Sequence, residues 1–174
     1  MTFGLAGGLD PAVSAGRVFL PEQIVSAQKP DLATSREWRE RVAAALQNQR
    51  PLVTGKLLTS SRAVTTIEDK ARAFRETGAI AADMESMAVA QVAAIRGLPF
   101  LAVRVIVDTA ADVLPNAVVT ASRAGQPRVW SLIGRLVLAP ADLIAVIRLA
   151  RRYGIANRAL RAVAATGCLQ ETVT

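Results

Sequence analysis

Three short stretches of this chain carry residues able to do chemistry at one place: Gly7-Gly8, Asp83-Met84-Glu85 and Asp108. Consecutive glycines let backbone amides come close to a ligand oxygen. A carboxylate in the first turn of a helix is kept ionised by the helix dipole, and it can accept both hydrogen bonds that a vicinal diol offers. Glu85 fits that description. Asp108 follows an apolar run, where partial burial would raise its pKa and make it a candidate general acid. Each stretch also has a plainer reading: a Gly-Gly turn, a favourable charge at a helix start, and a capping or loop aspartate.

The rest of the composition narrows the chemistry. There is no histidine, and Cys168 is the single cysteine. Ser-His-Asp and Cys-His nucleophilic sites, imidazole metal sites, internal disulfides and multi-cysteine metal sites are therefore excluded within these 174 residues. Carboxylates, arginines, hydroxyls and backbone amides remain to do any chemistry.

Placing these residues together calls for an α/β framework. Residues 2–8 read as the end of a buried strand entering a glycine loop. Residues 16–21 read as a short strand stopped by Pro21, with 22–27 as its continuation. Residues 35–47 read as a helix with Ser35 as N-cap and Trp38, Val42, Ala45 and Leu46 on one stripe. A strand follows at 52–58, then a helix at 66–76 with Thr65 or Thr66 as cap and Gly78 beyond its end. The clearest unit is a small-residue strand at 79–82, a helix at 84–96 stopped by Gly97, and an apolar strand at 99–107 broken only by Arg104. Strand, helix and strand in that order suggest a βαβ unit in a sheet buried on both faces. The three reactive stretches would then share the carboxyl edge of the sheet, where open α/β sheets bind ligands. Arg104 is expected to pair with an acidic side chain of the core.

The character changes after Asp108. Residues 109–126 read as loop with extended pieces, and 130–138, 141–153 and 157–165 as helices, the first two separated by Pro140. This gives an α/β core over 1–112 and a basic helical extension over 113–174, packed on the same domain. The formal charge of +7 lies almost wholly in the extension, which holds eight arginines against two acidic residues. Such a surface suits an anionic lipid face, a nucleic acid or an acidic partner, or is simply a solvated helix face. Aromatics are only 4% and no nucleic-acid motif accompanies the charge, so no nucleic-acid partner is expected. The apolar stretch at 129–150 is interrupted by Arg135, Pro140 and Asp142, which argues against a membrane span. With no cationic segment before the apolar start, the expected location is the cytoplasm, with peripheral contact at the inner membrane face as an extension of that reading.

The motifs have a family likeness. Gly4-Leu5-Ala6-Gly7-Gly8 resembles the G-x-A-G-G motif of the purine nucleoside phosphorylase and methylthioadenosine/S-adenosylhomocysteine nucleosidase superfamily. Asp83-Met84-Glu85-Ser86 with Ala88 to Gln91 is similar to its V-[DE]-M-E-x-x-A-[IV]-A segment. Pro99-Phe100 through Asp108 is similar to its P-F-x-x-[VI]-R-x-[IV]-S-D strand. The basic tail, from Leu114-Pro115 onward, resembles the hopanoid-associated phosphorylase branch.

The resemblance implies a three-layer fold around a central mixed sheet, and cleavage of a purine nucleoside by phosphorolysis or hydrolysis, with phosphate as co-substrate in the former case and no metal or organic cofactor required. The substrate would be adenosylhopane-like or methylthioadenosine-like, the released base adenine, and the protein a homo-oligomer. By the same resemblance Glu85 binds the ribose hydroxyls and Met84 packs on the sugar. Ala6 and Gly7 line the ribose and nucleophile pocket. The backbone of Val64, in the loop at 59–64, meets the adenine edge. Asp108 protonates or hydrogen-bonds purine N7.

Three departures stand out. The chain begins at the glycine motif, so the family's nucleophile-side strands are expected to be missing, a sheet edge exposed and the activity of these residues alone small. Ala63 stands where an aromatic often stacks on the base. Val107 stands where the family has serine. Asp108→Asn is expected to remove activity in a full-length version while leaving folding intact.

Overall fold

The computed structural model describes residues 1–46, 52–114 and 140–165. Among these, six strands and four helices occur in the order β1 (Thr2–Gly8), β2 (Val18–Ser26), β3 (Lys29–Ala33), α1 (Arg36–Leu46), β4 (Leu52–Thr59), α2 (Ile67–Thr77), β5 (Ala79–Asp83), α3 (Ser86–Ile95), β6 (Ala102–Asp108) and α4 (Pro140–Ala165). The fold is α/β with a mixed sheet, in the order β3-β2-β4-β5-β1-β6.

The sheet curls. Strand β2 pairs with β4 in parallel and also meets β6 antiparallel at Val18 and Phe19, opposite Val105 and Arg104. The expected exposed edge is thus partly covered, because β6 has β1 on one side and the start of β2 on the other. Only a strongly twisted sheet can return on itself in this way.

The βαβ expectation needs correction. Strand β1 pairs with β6 in parallel but with β5 antiparallel, so β5 and β6 flank β1 and run in opposite directions. Helix α3 joins them without making a parallel crossover. Small residues make this possible: Gly7 and Gly8 of β1 lie opposite Ala82 and Ala81 of β5. An apolar run says that a strand is buried, not which way its neighbour points.

Local signals explain most boundaries. Ser35 Oγ accepts from Trp38 N at 3.3 Å at the start of α1, whose Trp38, Val42 and Leu46 are buried. Thr66 caps α2 by accepting from Asp69 N at 3.1 Å, and Gly78 closes it in the left-handed region at φ 65°. Pro21 does not stop β2. The register shifts between Pro21 and Gln23, and a bulge is where a strand tolerates proline. Strand β3, absent from the sequence reading, is a short Lys-Pro-Asp-Leu-Ala edge strand without apolar alternation.

The tail also differs. The two helices expected at 141–153 and 157–165 are one helix, α4, which Pro140 opens; proline is well suited to a first helical position. The helix runs through Gly154, at a propensity cost of about 1 kcal/mol. Ala156, Ala159 and Val163 offset that cost by packing into one core cluster with Val18, Leu20, Val103 and Val105 of the sheet and Trp38, Val42 and Leu46 of α1. A second cluster holds Phe19, Ile24, Leu57 and Ile106 with Met87 and Ala90 of α3, and a third sets Phe74 of α2 against Leu9, Val25 and Leu58. The helix expected at 130–138 and most of the loop at 109–126 lie outside the described residues. Among the described residues no helix is long and apolar enough to cross a membrane.

Candidate active site

The end of β6 and the glycines of β1 form the floor of the site. The pairing slips there: Ala6 lies opposite Ile106, but Gly7 lies opposite Asp108, leaving Val107 as an extra residue. The glycines permit the close approach. A Cβ on Gly8 would sit 2.6 Å from the Asp108 carbonyl oxygen, and one on Gly7 would sit 3.1 Å from Asp108 Oδ1. Their first use is therefore to admit Asp108 rather than to offer amides to a ligand.

Asp108 is wholly buried, not partly buried as expected, and it is ion-paired with Lys70 of α2, also wholly buried. Lys70 was not singled out from the sequence, where 66–76 is read only as a capped helix. A signal was present: Lys70 shares its helical stripe with Ala73, Phe74 and Thr77, and lysine is scarce in this arginine-rich chain.

The opposite wall comes from the β5–α3 junction. Its organising group is Asp83, whose side chain is 5% exposed. Asp83 Oδ1 accepts from Thr59 Oγ1 at 2.9 Å and from Ser86 N at 3.3 Å, which caps α3. Asp83 Oδ2 accepts from Arg104 Nε at 2.9 Å, Arg104 Nη2 at 2.7 Å and Ser86 Oγ at 2.5 Å. This is the acidic partner expected for Arg104, and it makes Asp83 a structural post.

Glu85 is consequently freed from capping. It occupies the N-cap position with non-helical backbone and makes no side-chain cap bond, so it does not sit in the first turn as expected. Its side chain and that of Met84, which is 50% exposed, belong to the surface of the site.

All six residues singled out in the sequence, Ala6, Gly7, Val64, Met84, Glu85 and Asp108, line one cavity of about 420 Å³. They come from β1, the loop before α2, the β5–α3 junction and the end of β6. Arg62, Ala63, Val107 and Leu114 line it as well, so both substituted positions noted above face the cavity. Asp108 is in the cavity wall but 0% exposed, so direct contact with a ligand requires the lining to give way. Among the described residues no three acidic or cysteine side chains are grouped as a metal site would need.

With this geometry in place, comparison with known proteins is informative. The family model described as the phosphorylase superfamily matches residues 1–137. No curated protein matches the chain. Among solved structures, the 5′-methylthioadenosine/S-adenosylhomocysteine nucleosidase of Helicobacter pylori with butyl-thio-DADMe-Immucillin-A is 17% identical, with a TM-score of 0.64 over 93% of this chain and 66% of that one. The nucleosidase of Neisseria meningitidis in complex with methylthio-immucillin-A is 22% identical, with a TM-score of 0.57 over 63% of this chain and 55% of that one. The futalosine hydrolase of Helicobacter pylori is 22% identical, with a TM-score of 0.58 over 63% and 54%. Likeness at this level concerns the fold. The chain spans a little over half the length of several of the structures it matches.

Proposed function

The chain belongs to the phosphorylase superfamily, and from that premise we propose that its cavity takes a purine nucleoside and serves cleavage of the N-glycosidic bond, releasing adenine. The observation that carries this reading is the convergence of six residues from four separate stretches on one cavity large enough for a small ligand. Glu85, exposed and unengaged as a cap, is the acceptor for the ribose hydroxyls. Met84 packs on the sugar, Ala6 and Gly7 line the sugar side, and the backbone of Val64 meets the base edge. Asp108 interacts with the purine N7 through a hydrogen bond or a proton, which lowers the barrier to departure of the base. Fixing the diol holds the sugar for attack.

Solved structures of similar fold lend support, since one nucleosidase holds 5′-methylthioadenosine in its active site and others hold Immucillin-type ligands. A methylthioadenosine-like or adenosylhopane-like nucleoside is the finer proposal, by hydrolysis or by phosphorolysis with phosphate as co-substrate, in a homo-oligomer. Titration calorimetry with 5′-methylthioadenosine tests the reading. Saturable binding weakened in a Glu85→Ala variant is expected, and absence of binding refutes it. Adenine release from 5′-methylthioadenosine and from an adenosylhopane, with and without phosphate, tests the substrate and the reaction.

A peripheral membrane contact rests on a separate observation. Arg151, Arg158 and Arg161 are exposed on α4 while Ala156, Ala159 and Val163 face the core. Because α4 belongs to the core, charge reversal of these arginines is a cleaner test than deletion. Loss of co-sedimentation with anionic vesicles is expected, and unchanged binding rules the contact out.

A further inference from the structure

A purine presents two broad flat faces, and proteins cover such faces with aromatic rings or guanidinium planes. Among the described residues no aromatic side chain lines the cavity, but two arginines do, Arg62 and Arg104. Arg104 is 3% exposed and committed to Asp83 and Ser86. Arg62 is exposed, and among the described residues its guanidinium makes no hydrogen bond or ion pair. Arg36, Arg41, Arg72 and Arg104, by contrast, each meet a carboxylate. The backbone of Arg62 is nevertheless held. Ser60 N donates to Asp83 O at 2.9 Å. Ser60 Oγ donates to Arg62 O at 2.7 Å and accepts from Arg62 N at 3.3 Å. Beyond Val64, Thr65 O accepts from Leu114 N at 2.9 Å. A long, uncommitted side chain thus leaves an anchored backbone in the cavity wall, two residues before the wall assigned to the base.

We propose that Arg62 is a base-binding residue whose guanidinium lies over one face of the purine, a face that no ring of this cavity covers. The inference rests on the purine-nucleoside reading above. Arginine suits the task because its fork is planar, weakly hydrated and able to stack, and because its charge is attracted to a π face. Ala63, next in the chain and also in the lining, is too small to cover that face itself. The competing use of an uncommitted arginine is to hold an anion. The lining opposes it, since Asp83, Glu85 and Asp108 set three carboxyl groups there against the two guanidinium groups.

The test measures adenine, 5′-methylthioadenosine and inorganic phosphate by titration calorimetry against the unaltered chain, Arg62→Ala and Arg62→Lys. Arg62→Ala is expected to weaken adenine and 5′-methylthioadenosine by the same factor, roughly three- to thirtyfold, the range for a cation over a ring from an exposed to a desolvated setting. Arg62→Lys keeps the charge but loses the plane, and is expected to stay weaker than the original for both ligands. Melting temperature is expected to be unchanged, because the side chain is exposed and holds nothing in the fold. If neither adenine nor 5′-methylthioadenosine binds the unaltered chain, the purine reading fails and takes this inference with it. The remaining adverse outcomes overturn the role of Arg62 alone. These are 5′-methylthioadenosine binding without adenine binding, a loss in Arg62→Ala confined to 5′-methylthioadenosine or to phosphate, and unchanged affinities. Full affinity in Arg62→Lys, which would assign the effect to charge alone, and a lowered melting temperature in Arg62→Ala, which would assign the guanidinium to folding, overturn it equally.

Discussion

Replacing Asp108 by asparagine is the natural test of a carboxylate at the end of β6, and the sequence suggests it leaves folding untouched. The structure predicts otherwise. Asp108 and Lys70 are both wholly buried and paired, so Asp108→Asn leaves a buried ammonium without its countercharge. Removing one partner of a buried pair costs about 3–5 kcal/mol. The lower end applies here, because Lys70 Nζ keeps Thr109 O and Asp112 O, and the asparagine amide still offers an oxygen. A loss of about 3 kcal/mol corresponds to roughly 6–12 °C in melting temperature for a chain of this size. Asp108→Ala, which offers no oxygen, is expected to lose about 5 kcal/mol, the upper end of that range. Urea unfolding at constant m-value measures these losses. Combining Asp108→Asn with Lys70→Met removes both charges, and the double variant is expected to be more stable than the sum of the two single losses by at least about 1 kcal/mol. An Asp108→Asn chain within about 0.5 kcal/mol of the original, the level of an ordinary surface change, would refute the buried pair. Activity lost in Asp108→Asn must therefore be read beside its stability.

Three further outcomes follow from the same geometry. Glu85→Ala is expected to weaken 5′-methylthioadenosine binding roughly 10- to 100-fold, as for lost hydrogen bonds to a charged group, with adenine affinity and melting temperature unchanged because Glu85 is exposed and caps nothing; calorimetry with both ligands checks this. Gly8→Ala puts a Cβ 2.6 Å from the Asp108 carbonyl oxygen, and a destabilisation of about 1–3 kcal/mol is expected in urea unfolding, as for overpacking of a tight interior. Thr66→Ala removes the cap bond to Asp69 N and is expected to cost about 1 kcal/mol, with reduced amide protection confined to the first turn of α2 by hydrogen exchange.

The sequence by itself settled what depends on neighbours along the chain. Thr66 and Gly78 bound α2 because capping needs only a side chain three residues from an amide and a residue tolerant of positive φ. The glycine, Asp-Met-Glu and Pro-Phe to Asp108 stretches pointed to one site, and their residues do line one cavity. Tertiary structure decided the rest. Strand direction is set by which edges pair, and nothing in the run at 99–107 announces that β5 lies antiparallel to β1. Glu85 lost its expected helix-turn setting because Asp83, already held by Arg104 and Thr59, caps α3 instead. The continuity of α4 through Gly154 depends on the core that Ala156, Ala159 and Val163 reach. Asp108 is paired with Lys70, thirty-eight residues away in sequence. A residue type fixes what a side chain can do, but only the groups folded against it fix the partners with which it does so.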